Sequence, residues 1–147
     1  MQYFKRVVKN ISILTGQDLV QSYDLIGTRY YDFNCSKDYL SDARVRKALS
    51  MALNREVITQ TIEASKPEPA YAFVPHGITY EGSDKDFRDT VGNLFEENVD
   101  EAKELMAEAG YPNGEGFPTL TLITQNDQEQ KDMAQAMQAM WKDNLGV

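Results

Sequence analysis

Between Leu40 and Ile62 the apolar residues recur at helical spacing. Val45, Ala48, Leu49, Ala52 and Leu53 follow one another at three- and four-residue steps, so they share one face of a helix. The pattern predicts a helix to about Leu53, then a restart at Asn54 that runs to about Ala64. Ser41 or Asp42 can cap the first helix, because a short side-chain oxygen satisfies amides that the first turn leaves unpaired. Asn54 can cap the second, with Glu56 near its positive end. A further helical stripe, Val99, Ala102, Leu105, Met106 and Ala109, is opened by Asn98 with Glu101 three residues on, a capping-box spacing, and closed by Gly110 and Pro112. Asn126 and Glu129 repeat that spacing ahead of Met133, Met137, Met140, Trp141 and Leu145, and Gly146 closes this last stripe. The methionines read as core filler.

Alternation marks the strands. Gly27 to Asn34 is aromatic and β-branched and predicts a strand. Thr119 to Thr124 predicts another, with Leu120 and Leu122 facing one way. Ile11 to Leu14 also reads as a strand, Thr15 to Asp18 as a turn, and Leu19 to Ile26 as extended chain. Met1 to Asn10 reads as a short helix with Phe4, Val7 and Val8 on one side. Ser65 to Asn98 is irregular, broken by Pro67, Pro69 and Pro75 and by Gly77, Gly82 and Gly92. Phe87, Leu94 and Phe95 are expected to pin its mixed-charge stretch to the core. The expected core is Val45, Leu49, Leu53, Leu105, Met106, Leu120, Leu122, Met137 and Trp141.

Composition narrows the partners. The 147 residues are 41% hydrophobic and 26% charged, which suits one globular domain. Fifteen basic against 23 acidic side chains leave a net charge of −8, which disfavours a nucleic-acid or anionic-membrane partner. No apolar run approaches the roughly 20 residues that span a bilayer, and no signal peptide or anchor is visible. Cys35 is the only cysteine and His76 the only histidine. They allow a thiol-hydrolase reading, although neither sits in a nucleophile signature. The alternative is a small, part-buried thiol at a strand end and a loop histidine. One Cys and one His give no paired zinc-ligand spacing, so no metal site is expected, and no cofactor either. Asn113 to Pro118 is rich in glycine but lacks the Lys-Ser/Thr of a phosphate loop.

The wording of several segments carries a resemblance. Asp42-x-Arg44-Val45-Arg46-x-Ala48-Leu49-x-x-Ala52-Leu53-Asn54-Arg55-Glu56-x-Ile58 resembles a segment of the oligopeptide-type extracytoplasmic solute-binding proteins, solute-binding family 5. The strand from Gly27-Thr28 to Phe33-Asn34, the run Glu101 to Pro112, and Trp141 to Val147 are similar to the same family in the same order. Tyr71 to Ile78 is similar to its Phe-Val-Pro-x-Gly loop.

The resemblance implies an α/β fold: a mixed sheet with helices packed on it, part of a lobe of the type II periplasmic-binding-protein kind. It implies that residues 1–26 are a segment near the hinge and 27–147 part of the second major lobe. The implied function is capture of oligopeptides for import by an ABC transporter, outside the cytoplasm, either free in the periplasm or as an anchored lipoprotein. No enzyme activity is implied. The partners would be a peptide and, for the longer protein, the transporter permease. A lone lobe is expected to bind peptide weakly and to self-associate through an unpaired strand.

In that family a polar residue of the aromatic strand and its Phe-Asn end lie near the ligand cleft, positions held here by Asp32 and Asn34. Asn34 can equally pin the following turn through its side chain. Arg44 and Arg46 suit carboxylate binding but equally suit pairing with acidic neighbours. His76 reads first as a loop histidine near solvent and second as a ligand contact. A stand-alone interaction domain is the third reading of the whole.

Overall fold

The computed structural model describes residues 3–11, 20–63 and 67–147. Its core is helix on helix. After the short helix α1 (Asp38–Ser41) comes α2 (Ala43–Met51), capped by Asp42, whose side chain accepts from the Arg44 N–H. Val45, Ala48 and Leu49 on α2 have no exposure, and Ala52 and Leu53 have 1%. Asn54 opens the expected second run by accepting from the Val57 N–H: a turn α3 (Arg55–Val57) that widens into a π-type turn, Ile58–Ile62. The run thus ends at Ile62, and residues 64–66 lie outside the described residues.

The next helix, α4 (Phe87–Val91), sits inside the stretch expected to be irregular. Asp86 caps it, and Thr79 pairs with Asp86 to close the turn before it. Phe87 and Phe95 are half-buried, but against Tyr80 and Tyr71 of the same stretch rather than in the apolar core, and Leu94 is 64% exposed, so the expected pinning of this stretch by the three is not seen. Helix α5 (Val99–Glu108) has the expected Asn98 cap, which accepts from the Glu101 N–H. The reciprocal half of the box is missing, because the Glu101 carboxylate reaches Lys47 on α2 at 2.8 Å instead. The Asn98 N–H donates to the Met51 carbonyl at 3.1 Å, so α5 starts where α2 ends.

Helix α6 (Gln128–Leu145) begins one residue later than expected. Asp127 rather than Asn126 is its cap and accepts from the Gln130 N–H. Met133, Met137, Trp141 and Leu145 are buried, and Met140 is half-buried. Two side chains of α6 satisfy carbonyls at the end of α2: Trp141 Nε1 donates to Leu49 at 2.7 Å, and Asn144 Nδ2 donates to Ala52 at 2.8 Å. At the other end, Gly146 (φ 75°) and Gly114 (φ 78°) let the loop after α5 lie against the α6 cap. A methyl group on either would strike backbone of the other segment.

The sheet departs from expectation. Strands β1 (Tyr3–Ile11), β2 (Val20–Tyr30) and β3 (Pro69–Ala70) pair in the order β2-β1-β3, antiparallel throughout rather than mixed. The register runs from Tyr3 opposite Tyr30 to Ile11 opposite Val20, with a shift between Lys5 and Val7. The described part of the Met1 to Asn10 stretch, from Tyr3 on, is therefore a strand and not a helix. A long cross-strand ladder outweighs a helical spacing of three apolar residues, and Val7, Val8 and Ile11 are themselves β-formers. The extended reading of Leu19 to Ile26 holds from Val20 on; the residues after Ile11, including the expected turn, lie outside the described residues.

The ladder stops at Tyr30, four residues before the expected strand end at Asn34. Thr119 to Thr124 has no ladder partner among the described residues. Its side chains still alternate between exposed and half-buried, with Leu120 and Leu122 against the core and Ile123 88% exposed. Leu105, Leu120 and Leu122 are only half-buried members of the expected core.

Candidate functional site

A groove of about 1020 Å³ runs between residues 29–34 and residues 119–125. Its floor is apolar, made by Leu49, Leu53, Met137 and Trp141 from α2, its C-terminal continuation and α6. Its rim is polar. Asp32 and Asn34 stand on one side, with Lys37, and Thr124 and Gln125 on the other. Alternation along the chain between Tyr30 and Asn34 produces this: Tyr31 and Phe33 are half-buried, while Asp32 and Asn34 are exposed.

Gln130, which the sequence reading passed over, holds one end of the groove. Its Oε1 accepts from the Tyr31 hydroxyl at 3.0 Å and from Thr124 Oγ1 at 3.0 Å. One amide oxygen on α6 thus ties the end of β2 to the segment across the groove. The Tyr31 hydroxyl also lies 3.4 Å from Met133 Sδ, and burial pushes its pKa up. Beside it, the Arg29 guanidinium lies between Glu129, at 3.2 Å, and the buried carboxylate of Glu63, at 3.4 Å. A single Gln or Arg has no periodicity to mark it, so only the fold reveals these two positions.

The three residues named from sequence do not converge. Asp32 and Asn34 share the groove. Asn34 Oδ1 accepts from the Ser36 N–H at 3.1 Å and from Ser36 Oγ at 2.7 Å, so it also fixes the turn into α1. His76 lies elsewhere, lining a hollow with Thr28, Tyr71 and Arg88, and its Nδ1 faces Asp86 and Asp89.

Both arginines of α2 are engaged within the fold. Arg44 pairs with Asp42 at 2.6 Å and donates to the Glu108 carbonyl at 2.9 Å. Arg46 donates to the Leu40 and Ser41 carbonyls at 2.8 and 2.7 Å, closing the end of α1. Cys35 is exposed and contacts the Phe33 carbonyl, 3.5 Å away. It shares neither a partner nor a hollow with His76. Among the described residues, no helix is long and apolar enough to cross a membrane.

Comparison with known proteins supplies what the geometry alone does not. Residues 6–147 match the family described as bacterial extracellular solute-binding proteins, family 5 Middle. The chain is 35% identical over 136 residues to the dipeptide-binding protein DppE of Bacillus subtilis, covering 91% of this chain and 25% of that protein. It is 31% identical over its whole length to the periplasmic oligopeptide-binding protein OppA of Escherichia coli, covering 26% of it. A crystal structure of a periplasmic oligopeptide-binding protein (OppAIV) from Borrelia burgdorferi superposes with a TM-score of 0.66 at 34% identity. That match covers 78% of this chain and 21% of the other. The chain thus spans about a quarter of the length of the curated relatives it matches, and it belongs to family 5 of the bacterial extracellular solute-binding proteins.

Proposed function

We propose that this chain is part of the second major lobe of a type II solute-binding protein that captures oligopeptides outside the cytoplasm for an ABC transporter. Residues 27–147 would form the partial lobe and residues 1–26 the segment nearest the hinge. The carrying observation is the match of nearly the whole chain to dipeptide- and oligopeptide-binding relatives. The groove between residues 29–34 and 119–125 supports it, because a polar rim over an apolar floor suits a peptide backbone with mixed side chains. Asp32 would take a peptide amine or amide, and Asn34 would set the rim beside it. His76, in a separate hollow, would be the third contact only for a peptide longer than three residues. Capture by closure of two lobes involves no covalent step, which is why Cys35 needs no base.

A single lobe contacts only one side of a peptide. Each 1.4 kcal/mol of missing contact weakens binding about tenfold, so this chain alone should bind peptides at millimolar strength or weaker. Backbone NMR of the chain with a mixed tripeptide pool at rising concentration tests the assignment. Shifts confined to residues 29–34 and 119–125, and reduced in Asp32→Ala, are expected. Shifts elsewhere, or none at tens of millimolar peptide, would remove the groove from the function. Peptide hydrolysis lost in Cys35→Ser would replace the binding reading with an enzyme. Light scattering in the same samples checks self-association through Thr119 to Gln125, whose backbone has no ladder partner among the described residues.

A further inference from the structure

Away from the groove, one imidazole and two carboxylates meet at the start of α4. His76 Nδ1 lies 3.6 Å from Asp86 Oδ1 and 3.7 Å from Asp89 Oδ1, and all three donor atoms fall within 4.8 Å of one another. Neither contact is within hydrogen-bond distance. The imidazole faces both carboxylates without being bonded to either. A divalent cation about 2.0–2.2 Å from a histidine nitrogen and carboxylate oxygens in a tetrahedral shell sets its donors about 3.4 Å apart. The two nitrogen-to-oxygen spacings here lie within a few tenths of an ångström of that value.

The fold already holds the donors in place. Asp86 Oδ2 accepts from the Gly77 N–H at 2.6 Å, and Oδ1 accepts from the Arg88 N–H at 2.7 Å. Each oxygen keeps a second lone pair. The Phe87 N–H donates to the Ile78 carbonyl at 2.8 Å and closes the turn that carries His76. Asp89 stands three residues after Asp86, on the same side of α4. The Arg88 guanidinium, beside Asp89 in the chain, is turned to the Gly92 carbonyl and to Asn93 Oδ1. Little reordering therefore stands between this arrangement and a bound ion.

We propose that His76, Asp86 and Asp89 form a site for one divalent cation of the zinc type, which would fasten the His76 turn to α4. An imidazole with two carboxylates selects a borderline transition-metal ion over calcium or magnesium, which take oxygen donors alone. Half of the His76 side chain and 74% of the Asp89 side chain face solvent, so water completes the shell and the ion exchanges freely. The expectation of no metal rested on pairing one Cys with one His. It overlooked carboxylates ten and thirteen positions further along the chain.

Calorimetric titration of Zn²⁺ into the Cys35→Ser chain near neutral pH tests the site. The serine removes the exposed thiol as a competing ligand. One saturable equivalent is expected, weakened about tenfold or more by His76→Ala and by Asp89→Asn, within the range that loss of metal-site contacts produces. Both changes are at exposed side chains, and circular dichroism checks that the fold is retained. Asp86 is left unchanged because it also caps α4. The proposal is overturned if no saturable equivalent binds below about 1 mM, the affinity floor of weak protein metal sites, or if both variants bind as the parent does.

Discussion

The helical core around α2, α5 and α6 and the wrap from Pro67 to Glu97 are ordered by different forces. In the core, apolar side chains are taken out of water at helical spacing. Val45, Ala48, Leu49, Ala102 and Met133 have no exposure at all. In the wrap, aromatic side chains remain at the surface: Phe73 is 49% exposed and Tyr80 41%. What fixes the wrap is a handful of directional contacts. The Tyr71 carbonyl accepts from the Leu94 N–H, Asp86 bridges Gly77 to Arg88, and Arg88 closes on Gly92. Arg55 does the most. It reaches out of the core with no exposed surface, and its guanidinium lies 4.5 Å from the Phe95 ring centre and 5.7 Å from that of Tyr71. Burial by area is spread over many residues and tolerates conservative exchange. Burial by direction rests on a few groups and does not.

The largest expected effect lies in the core. Leu49 touches the groove floor and packs between α2 and α6 with no exposure, so Leu49→Ala should cost about 2–5 kcal/mol. The loss should appear as one cooperative shift in denaturant unfolding. A change below about half a kcal/mol, the level of an ordinary surface substitution, would mean that the groove side of α2 is not a packed surface.

The same contrast explains what the sequence reveals. The α2, α5 and α6 stripes, the Asn54 and Asn98 caps and the Gly146 end are legible because periodicity and short-range capping are local properties. β1 is not legible, because Phe4, Val7 and Val8 fit a helical face about as well as a strand, and only its partner β2 decides. Thr119 to Thr124 shows the converse. Its alternation is real, but a strand needs a ladder, and no local pattern supplies the neighbour. At the site, Asp32 and Asn34 are found through resemblance. Gln130 and Arg29 escape because each acts about a hundred residues from its partner. Arg55 escapes for another reason: an arginine between Asn54 and Glu56 reads as surface.

Arg55→Lys sharpens the comparison at intermediate cost. Lysine keeps the charge but loses the flat guanidinium that stacks on Phe95 and the fork that donates to Ser50 Oγ at 2.9 Å and to the Leu53 carbonyl at 3.2 Å. The expected loss is about 2 kcal/mol, the scale of a desolvated cation–π contact. Its distribution matters more than its size. Amide exchange should accelerate from Tyr71 to Glu97 while α5 and α6 stay protected. Uniform acceleration would make Arg55 a core residue like Leu49 and abolish the distinction between the two regions.

The smallest effect belongs to a cap in the helical region. The Asp42 carboxyl is held below its ordinary value, first by the side chain of Arg44 and then by the Arg44 backbone N–H that it caps. A carboxyl whose folded pKa is depressed stabilises the fold above its unfolded value, about 3.9. That stabilisation falls away as pH drops through the lower folded value. Acidification below about pH 4 should therefore loosen the first turn of α2. The contact is solvent-exposed, so salt should weaken its charge component. Asp42→Asn separates the two causes, since asparagine caps as well as aspartate but carries no charge. Protection of the Arg44 amide in that variant should be nearly independent of pH between 2 and 5. If it still falls with acid as in the parent, the loss comes from other carboxylates, and the start of α2 is held by its buried face rather than by its cap.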